Sequence, residues 1–127
     1  MAQAAKIKTF FPNGHVAAEM EYKDGLLTGP VRLYYTNGKL RKSYSLLNGN
    51  LSGPYILYYN SGQVKAEYGY YNDNMHGDYK EYNEKGVVTE AGRYYDGSPH
   101  GITQKYDDRG NLKETAIYYF GTLLSVK

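Results

Sequence analysis

The sequence predicts an all-β fold in which tandem β-hairpin repeats of 24 residues join into one elongated, twisted antiparallel sheet. Three observations support this prediction. The 127-residue chain has 17 tyrosines and 15 glycines but no tryptophan, a composition that favours strands separated by turns. Glycines recur every 24 residues. The segments between them have strand length and often alternate between apolar and polar side chains.

The 24-residue period is carried by glycine, aromatic and branched apolar columns in one register. The glycine series are Gly14, Gly38, Gly62, Gly86, Gly110; Gly29, Gly53, Gly77, Gly101; and Gly25, Gly49, Asp73, Gly97, Gly121. Asp73 fits the third series because Asp tolerates the left-handed backbone region better than most residues. We predict one domain over residues 1–127, with units at 10–33, 34–57, 58–81, 82–105 and 106–124.

Each unit is predicted to be a β-hairpin. Turns such as Thr36-Asn37-Gly38-Lys39 suit a three-residue loop in which glycine forms a bulge, whereas the junction from Gly25 to Gly29 is longer. The predicted strands are 6–11, 16–23, 30–35, 40–47, 54–59, 64–71, 78–83, 88–95, 102–107 and 112–119. Because one hairpin is unstable alone, the units must pair edge to edge. The apolar tail at 121–126 would cap the sheet, pair as a last strand, or form a homodimer through that edge.

The two sheet faces are predicted to differ. The even column Tyr34, Tyr58, Tyr82, Tyr106 stays aromatic, so we expect that face to be the common core. The odd positions of the short strands change from apolar to polar along the chain, which leaves an apolar stripe in the first half. We expect this stripe to bind a partner protein. Its residues are Val31, Leu33, Tyr35, Tyr55, Leu57 and Tyr59, with Arg41 and Lys42 as a charged rim. The alternative is that loops or sheet curvature cover the stripe.

Charge and composition disfavour several partner classes. The net charge of +2 provides no strong field to recruit nucleic acid or an anionic bilayer. Residues 1–57 carry +4 and residues 58–127 carry −2, a division that suits a head-to-tail or acidic-partner contact, or equally reflects surface scatter. The start MAQAAKIK has no signal-peptide segment, which slightly favours the cytoplasm. Removal of a leader would instead make the protein periplasmic or exported.

No catalytic, cofactor-binding or metal-binding set is predicted. His76 and His100 are 24 residues apart and occupy the position of Thr28 and Ser52, so we expect hydrogen-bonding loop residues rather than a proton shuttle or a metal pair. The later carboxylates, Asp73, Asp78, Asp96, Asp107 and Asp108, have no predicted fixed partner and are expected to be solvated. The glycine-rich segments contain no phosphate-binding motif. The chain is therefore predicted to be non-enzymatic.

The recurrent pattern EYxxGxxxGPxxxYYxxGxL, most complete from Glu21 to Leu40, resembles the MORN repeat in its bacterial variant form over about residues 6–124. The Trp or Phe column of the eukaryotic repeat is Tyr or Leu here, and the unit is slightly longer. This family includes the YwqK-type proteins described as antitoxins. The resemblance implies an antitoxin or immunity protein that binds a cognate toxin. It also implies one alternative, a phospholipid- or membrane-associated scaffold. A third alternative, an exported surface-interaction protein, depends on a leader ahead of residue 2. The membrane alternative has weak support, because no basic cluster exceeds Arg41-Lys42 and tryptophan is absent.

Overall fold

The computed structural model describes residues 4–127, and all of its regular elements are strands of one open antiparallel sheet. The strands are β1 (Ala4–Phe10), β2 (Val16–Lys23), β3 (Leu26–Leu27), β4 (Gly29–Tyr34), β5 (Leu40–Leu47), β6 (Asn50–Tyr58), β7 (Val64–Tyr71), β8 (Asn74–Met75), β9 (Gly77–Tyr82), β10 (Val88–Tyr95), β11 (Ser98–Pro99), β12 (Gly101–Tyr106), β13 (Leu112–Tyr119) and β14 (Thr122–Val126). The sheet order is β1-β2-β4-β5-β6-β7-β9-β10-β12-β13-β14. The predicted fold class is confirmed, and all ten predicted strands are present.

The tight turns of the first glycine series close the long hairpins as predicted. In the turn between β4 and β5, the Gly38 N–H donates to the Tyr35 carbonyl at 3.0 Å, and the Tyr35 N–H donates to the Lys39 carbonyl at 2.8 Å. Gly38 has a φ of 90°. The Asn37 side chain accepts from the Lys39 N–H at 2.9 Å and donates to the Asn60 carbonyl of the next turn at 3.2 Å. Neighbouring turns are therefore linked along one side of the sheet.

The second kind of junction differs from the prediction. The chain reverses in a two-residue turn at Asp24 and Gly25, whose φ values of 52° and 79° are both positive, as in a type I′ turn. The short strand β3 follows and pairs with the end of β2. The Asp-Gly and Asn-Gly pairs in this column are the sequence signal for such turns. Asp73 takes a φ of 71°, which confirms the expectation for that position.

The expectation that the even column forms the common core is wrong. The buried side chains lie on the other face, at odd positions of the short strands such as Val31, Tyr79 and Thr103, with Val31 only 3% exposed. Tyr34 and its copies Tyr58, Tyr82 and Tyr106 are only half-buried. The reason is that strand alternation places charged side chains, such as Arg32 and Lys80, on the same face as this column.

Within residues 4–127, neither face of the sheet is covered by a second layer. The solvent-accessible area is 8263 Å², whereas a compact protein of 14.4 kDa exposes about 6,800 Å². No described side chain is fully buried. The tail pairs as the last strand, β14, beside β13, so the sheet ends in two open edges, β1 and β14. A homodimer through the β14 edge stays a prediction.

Candidate functional site

A row of tyrosine rings crosses the middle of the more buried face. The rings of Tyr44 and Tyr55 stack with centroids 5.3 Å apart, and those of Tyr68 and Tyr79 stack at 5.8 Å. Tyr70 and Tyr94 pack against the row from the next position, at 5.1 Å from Tyr55 and 5.2 Å from Tyr79. We call this surface the tyrosine face, with residues Tyr44, Tyr55, Tyr68, Tyr70, Tyr79 and Tyr94. Packing side by side leaves Tyr79 only 6% exposed and the other five rings half-buried, and no second layer of described strands covers them.

Two hydroxyl groups of the tyrosine face are held by carboxylates. The Tyr68 hydroxyl donates to Glu81 at 2.6 Å, and the Tyr79 hydroxyl donates to Glu90 at 2.8 Å. Burial raises the pKa of both tyrosines well above the ordinary range, and the hydrogen bonds to carboxylates raise it further. Both phenols therefore stay neutral over the physiological range. Their fixed rings are suited to packing against a partner rather than to proton transfer.

The row beside these rings changes character along the sheet, as the sequence predicted. Direct pairing places Leu33 opposite Lys42, Lys42 opposite Leu57, and Leu57 opposite Ala66. The same row continues through Glu81, Glu90, Lys105 and Glu114. The first half of this row is therefore mainly apolar and the second half is charged.

The structure brings five of the eight predicted partner-binding residues together on the tyrosine face, namely Val31, Leu33, Lys42, Tyr55 and Leu57. Val31 is buried and packs against its neighbours in the sheet. The side chains of the other four residues are half-buried and partly accessible to solvent. The Lys42 ammonium lies 5.3 Å from the Tyr55 ring centroid, a cation–π contact that holds the charge beside the aromatic row.

The other three predicted residues are placed differently. Tyr35 and Tyr59 lie at the tight turns, where their hydroxyls donate to the carbonyls of Tyr58 and Tyr82 at 2.5 and 2.6 Å. These bonds join consecutive hairpins, so both tyrosines have a structural part. Arg41 is the extra residue of the bulge between β4 and β5, because Leu33 pairs with Lys42 and Tyr34 pairs with Leu40, and its side chain is exposed.

The histidines serve as loop acceptors, which confirms the prediction for them. His76 Nδ1 accepts the Asp96 N–H at 3.2 Å, and His100 Nδ1 accepts the Phe120 N–H at 3.1 Å. The expectation that the carboxylates lack fixed partners is wrong for four of the five. Asp78 forms an ion pair with Arg93 at 2.8 Å, and Asp107 accepts the N–H groups of its own turn. Asp73 accepts the Leu51 N–H at 2.7 Å, and Asp96 accepts a side-chain N–H of Asn74 at 3.0 Å. These contacts stabilise hairpins and link neighbouring ones.

Sequence reasoning missed an exposed aromatic cluster at the other end of the strands. Its rings, which we call the aromatic edge, belong to Tyr71, His76, Tyr95, His100, Tyr119 and Phe120. The missed signal was the tyrosine pair that ends β7, β10 and β13, since alternation sends one ring to each face.

Among residues 4–127, no group of three or more His, Asp or Glu side chains is placed to hold a metal ion. The same range contains no helix long and apolar enough to cross a membrane.

Comparison with known proteins gives one family. A family model described as MORN repeat variant matches residues 5–24, 27–48, 51–73 and 99–119, which together make up more than half of the chain. Each matched segment contains one long hairpin closed by a tight turn. The hairpin of β9 and β10 is outside these segments, yet it has the same bulged pairing. No curated protein matches the chain. Repeats of this type form binding modules rather than typical enzyme folds. The chain belongs to the MORN repeat variant family.

Proposed function

We propose that this chain is a non-enzymatic protein-binding repeat protein that binds a cognate toxin and neutralises it, as an antitoxin or immunity protein. The observation that carries the binding part is the tyrosine face, an ordered row of mostly half-buried rings that no second layer of residues 4–127 covers. The toxin part rests on the resemblance to the YwqK-type proteins. Occlusion of the toxin active site is the simplest mechanism, because it requires a surface and no catalytic group.

The sheet face that contains the tyrosine face is large enough for one protein partner. Ten strands at about 4.8 Å spacing span about 45 Å, and six residues per strand span about 20 Å. The area of that whole sheet face, about 900 Å², is close to the roughly 800 Å² that each partner contributes to a standard stable interface. The tyrosine face occupies its central part, on the five neighbouring strands β5, β6, β7, β9 and β10. Tyrosine supplies large contact area with little loss of side-chain entropy, which makes this composition typical of interface cores.

The first half of the face is the proposed contact centre. Leu33, Tyr55 and Leu57 provide apolar surface there, and Lys42 provides a charge at its margin. The charged second half of the row, which includes Glu81 and Glu90, then sets the orientation of the partner. Such a division between an apolar centre and a polar margin is the usual organisation of a specific interface.

The test uses two neighbouring residues of β6. Leu57→Asp places a charge on the tyrosine face, whereas Ile56→Asp places the same charge on the opposite face of the same strand. Both parent side chains are half-buried, so the pair is matched for its effect on folding. Intact protein and both variants would be used to capture partners from the source organism. A single protein retained by the intact chain and by Ile56→Asp, but lost with Leu57→Asp, is the expected result.

The captured partner must then be toxic when expressed alone and harmless when expressed with this chain. A partner without toxicity would leave a protein-binding module and refute the antitoxin role. Sedimentation with anionic liposomes, in place of any protein partner, would favour the membrane scaffold instead.

A further inference from the structure

The aromatic edge lies on the face opposite the tyrosine face, at the end of the sheet where β7, β10 and β13 turn back. Its rings form a continuous series, with centroid distances of 6.3 Å from Tyr71 to His76 and 5.0 Å from His76 to Tyr95. Beyond Tyr95, His100 lies at 6.4 Å and stacks on Phe120 at 4.1 Å. Tyr71 is 67% exposed and Phe120 is 50% exposed, so the series is a surface feature and not part of a core.

The two histidines in this series are fixed and present a donor. Because His76 Nδ1 and His100 Nδ1 each accept a backbone N–H, the neutral rings carry their proton on Nε2. Each Nε2–H is then available to a carbonyl group of a ligand. Thr28 occupies the corresponding place in the first unit, where its hydroxyl accepts the Asn48 N–H at 3.4 Å, so the loop needs only an acceptor there. The imidazole ring adds an aromatic surface that the loop does not need.

Phe120 is strained. It is the first residue of a two-residue turn and has a φ of 41°, in the left-handed region. The equivalent positions are occupied by Asp or Asn, residues that tolerate this conformation, at Asp24, Asn48, Asn72 and Asp96. A bulky residue with positive φ is an outlier, and such outliers are concentrated at binding and active sites. Asn would fit the backbone conformation of this turn better than Phe. The aromatic side chain of Phe120 must therefore have a role other than forming the turn.

The spacing between equivalent tyrosines of the aromatic edge matches the repeat of an extended peptide. Tyr71, Tyr95 and Tyr119 are equivalent residues, and successive members are two strand positions apart in the sheet order. Two strand spacings amount to about 9.6 Å. A polyproline II helix advances about 9.3 Å per turn of three residues. A peptide with proline at every third residue would therefore place one proline on each tyrosine, over a contact of about seven residues.

The charges beside the rings define the ligand further. The charged residues in the two loops that hold the histidines are Asp73 and Asp96, both acidic. Asp96 also lines a cavity of about 330 Å³ together with Tyr71, His76 and Tyr95. An acidic group beside an aromatic groove complements a ligand that carries Arg or Lys among its prolines. We propose that the aromatic edge binds a proline-rich, basic protein segment in the polyproline II conformation.

The proposed test uses synthetic peptides and the full chain. The probe is a labelled peptide of three Pro-Pro-Arg triplets, compared with one of three Ala-Ala-Arg triplets, and binding is followed by fluorescence anisotropy. We expect the proline peptide to bind and the alanine peptide to bind at least tenfold more weakly. Tyr95→Ser should weaken binding of the proline peptide at least tenfold. Phe120→Asn should do so too, and this variant restores the usual turn residue, so loss of folding would not explain its effect.

The matched control is Phe10→Ser, which removes an aromatic ring of similar exposure, 60% against 52% for Tyr95, from β1 at the far edge of the sheet. This variant should bind like the parent. Three results would each overturn the proposal. The first is equal binding of both peptides, and the second is undiminished binding by Tyr95→Ser and Phe120→Asn. The third is binding of β-linked oligosaccharides or lipid vesicles instead of the peptide. Because the edge and the tyrosine face lie on opposite sides, Leu57→Asp should leave peptide binding intact. Failure here is thus distinguishable from failure of the proposed function.

Discussion

Gly92 gives a quantitative test of how tightly the tyrosine face is packed. This glycine lies in β10 opposite Tyr79, and a methyl group added there would come within 2.7 Å of Tyr79 Cε1 and 2.8 Å of Thr103 Oγ1. Carbon atoms in contact prefer about 3.5–4.0 Å, so the Tyr79 ring would have to move by about 1 Å. The ring cannot move freely, because it is stacked on Tyr68 and bonded to Glu90.

The expected cost of Gly92→Ala follows from two opposing terms. Overpacking costs about 1–3 kcal/mol, and three contacts below 3.0 Å place this site in the upper half of that range. The loss of glycine flexibility in the unfolded chain offsets about 0.4–1 kcal/mol. The net destabilisation is therefore about 1–2.5 kcal/mol. For 127 residues the unfolding entropy is about 0.27 kcal/mol/K, so the thermal midpoint should fall by about 4–9 °C.

Thermal and urea unfolding, followed by circular dichroism, would measure this effect. Ala91→Ser is the matched control, because it adds one atom on the opposite side of the same strand, beside an open groove of about 610 Å³. It should change stability by less than about 0.5 kcal/mol. In a Tyr79→Ala background, Gly92→Ala should cost much less than in the parent, since the ring it meets is gone. A Gly92→Ala protein as stable as the parent would refute the packing described for Tyr79.

Three further outcomes are expected. Asn37→Ala should lower the unfolding free energy by about 1 kcal/mol in urea titrations, because it removes bonds within its turn and to the next one. The pKa of Tyr68 and of Tyr79 is raised, so the contribution of these two groups to stability should be constant below pH ~10 and be lost above it as the unfolded tyrosines ionise. The double Phe variant should flatten that alkaline loss in urea midpoints. The pKa of Asp107 is lowered by the Asn111 backbone N–H, so its contribution should be present above pH ~4 and lost in acid; Asp107→Asn should reduce the acid-dependent shift of the thermal midpoint.

The period of the fold could be read from the sequence because each glycine column meets a local backbone requirement. Gly38 and its copies need positive φ in every tight turn, so the 24-residue spacing translates directly into hairpins. The type I′ turns were also readable from Asp24-Gly25. The prediction instead grouped Gly25 with Gly29, and so missed the short strand β3 between them.

The assignment of faces could not be read in the same way. In β5 the extra residue Arg41 forms a bulge opposite Leu33 and Tyr34, and the same register shift recurs beside other tight turns, so the face on which a residue lies cannot be counted across the turn. Burial of the odd positions depends on tyrosines that are brought together from different hairpins, such as Tyr44 with Tyr55. Pairing of this kind is a tertiary property. The aromatic edge was missed for the same reason, since its rings come from three units.

The most direct test of the uncovered tyrosine face is the affinity of the captured partner for the two β6 variants. Burial of a leucine side chain at an interface contributes about 1.5–3 kcal/mol, and an unpaired carboxylate in its place adds a further penalty. Isothermal titration should therefore show at least about a tenfold loss of affinity for Leu57→Asp, with Ile56→Asp within about threefold of the parent. Equal losses for the two variants, or a larger loss for Ile56→Asp, would contradict a partner site on the tyrosine face.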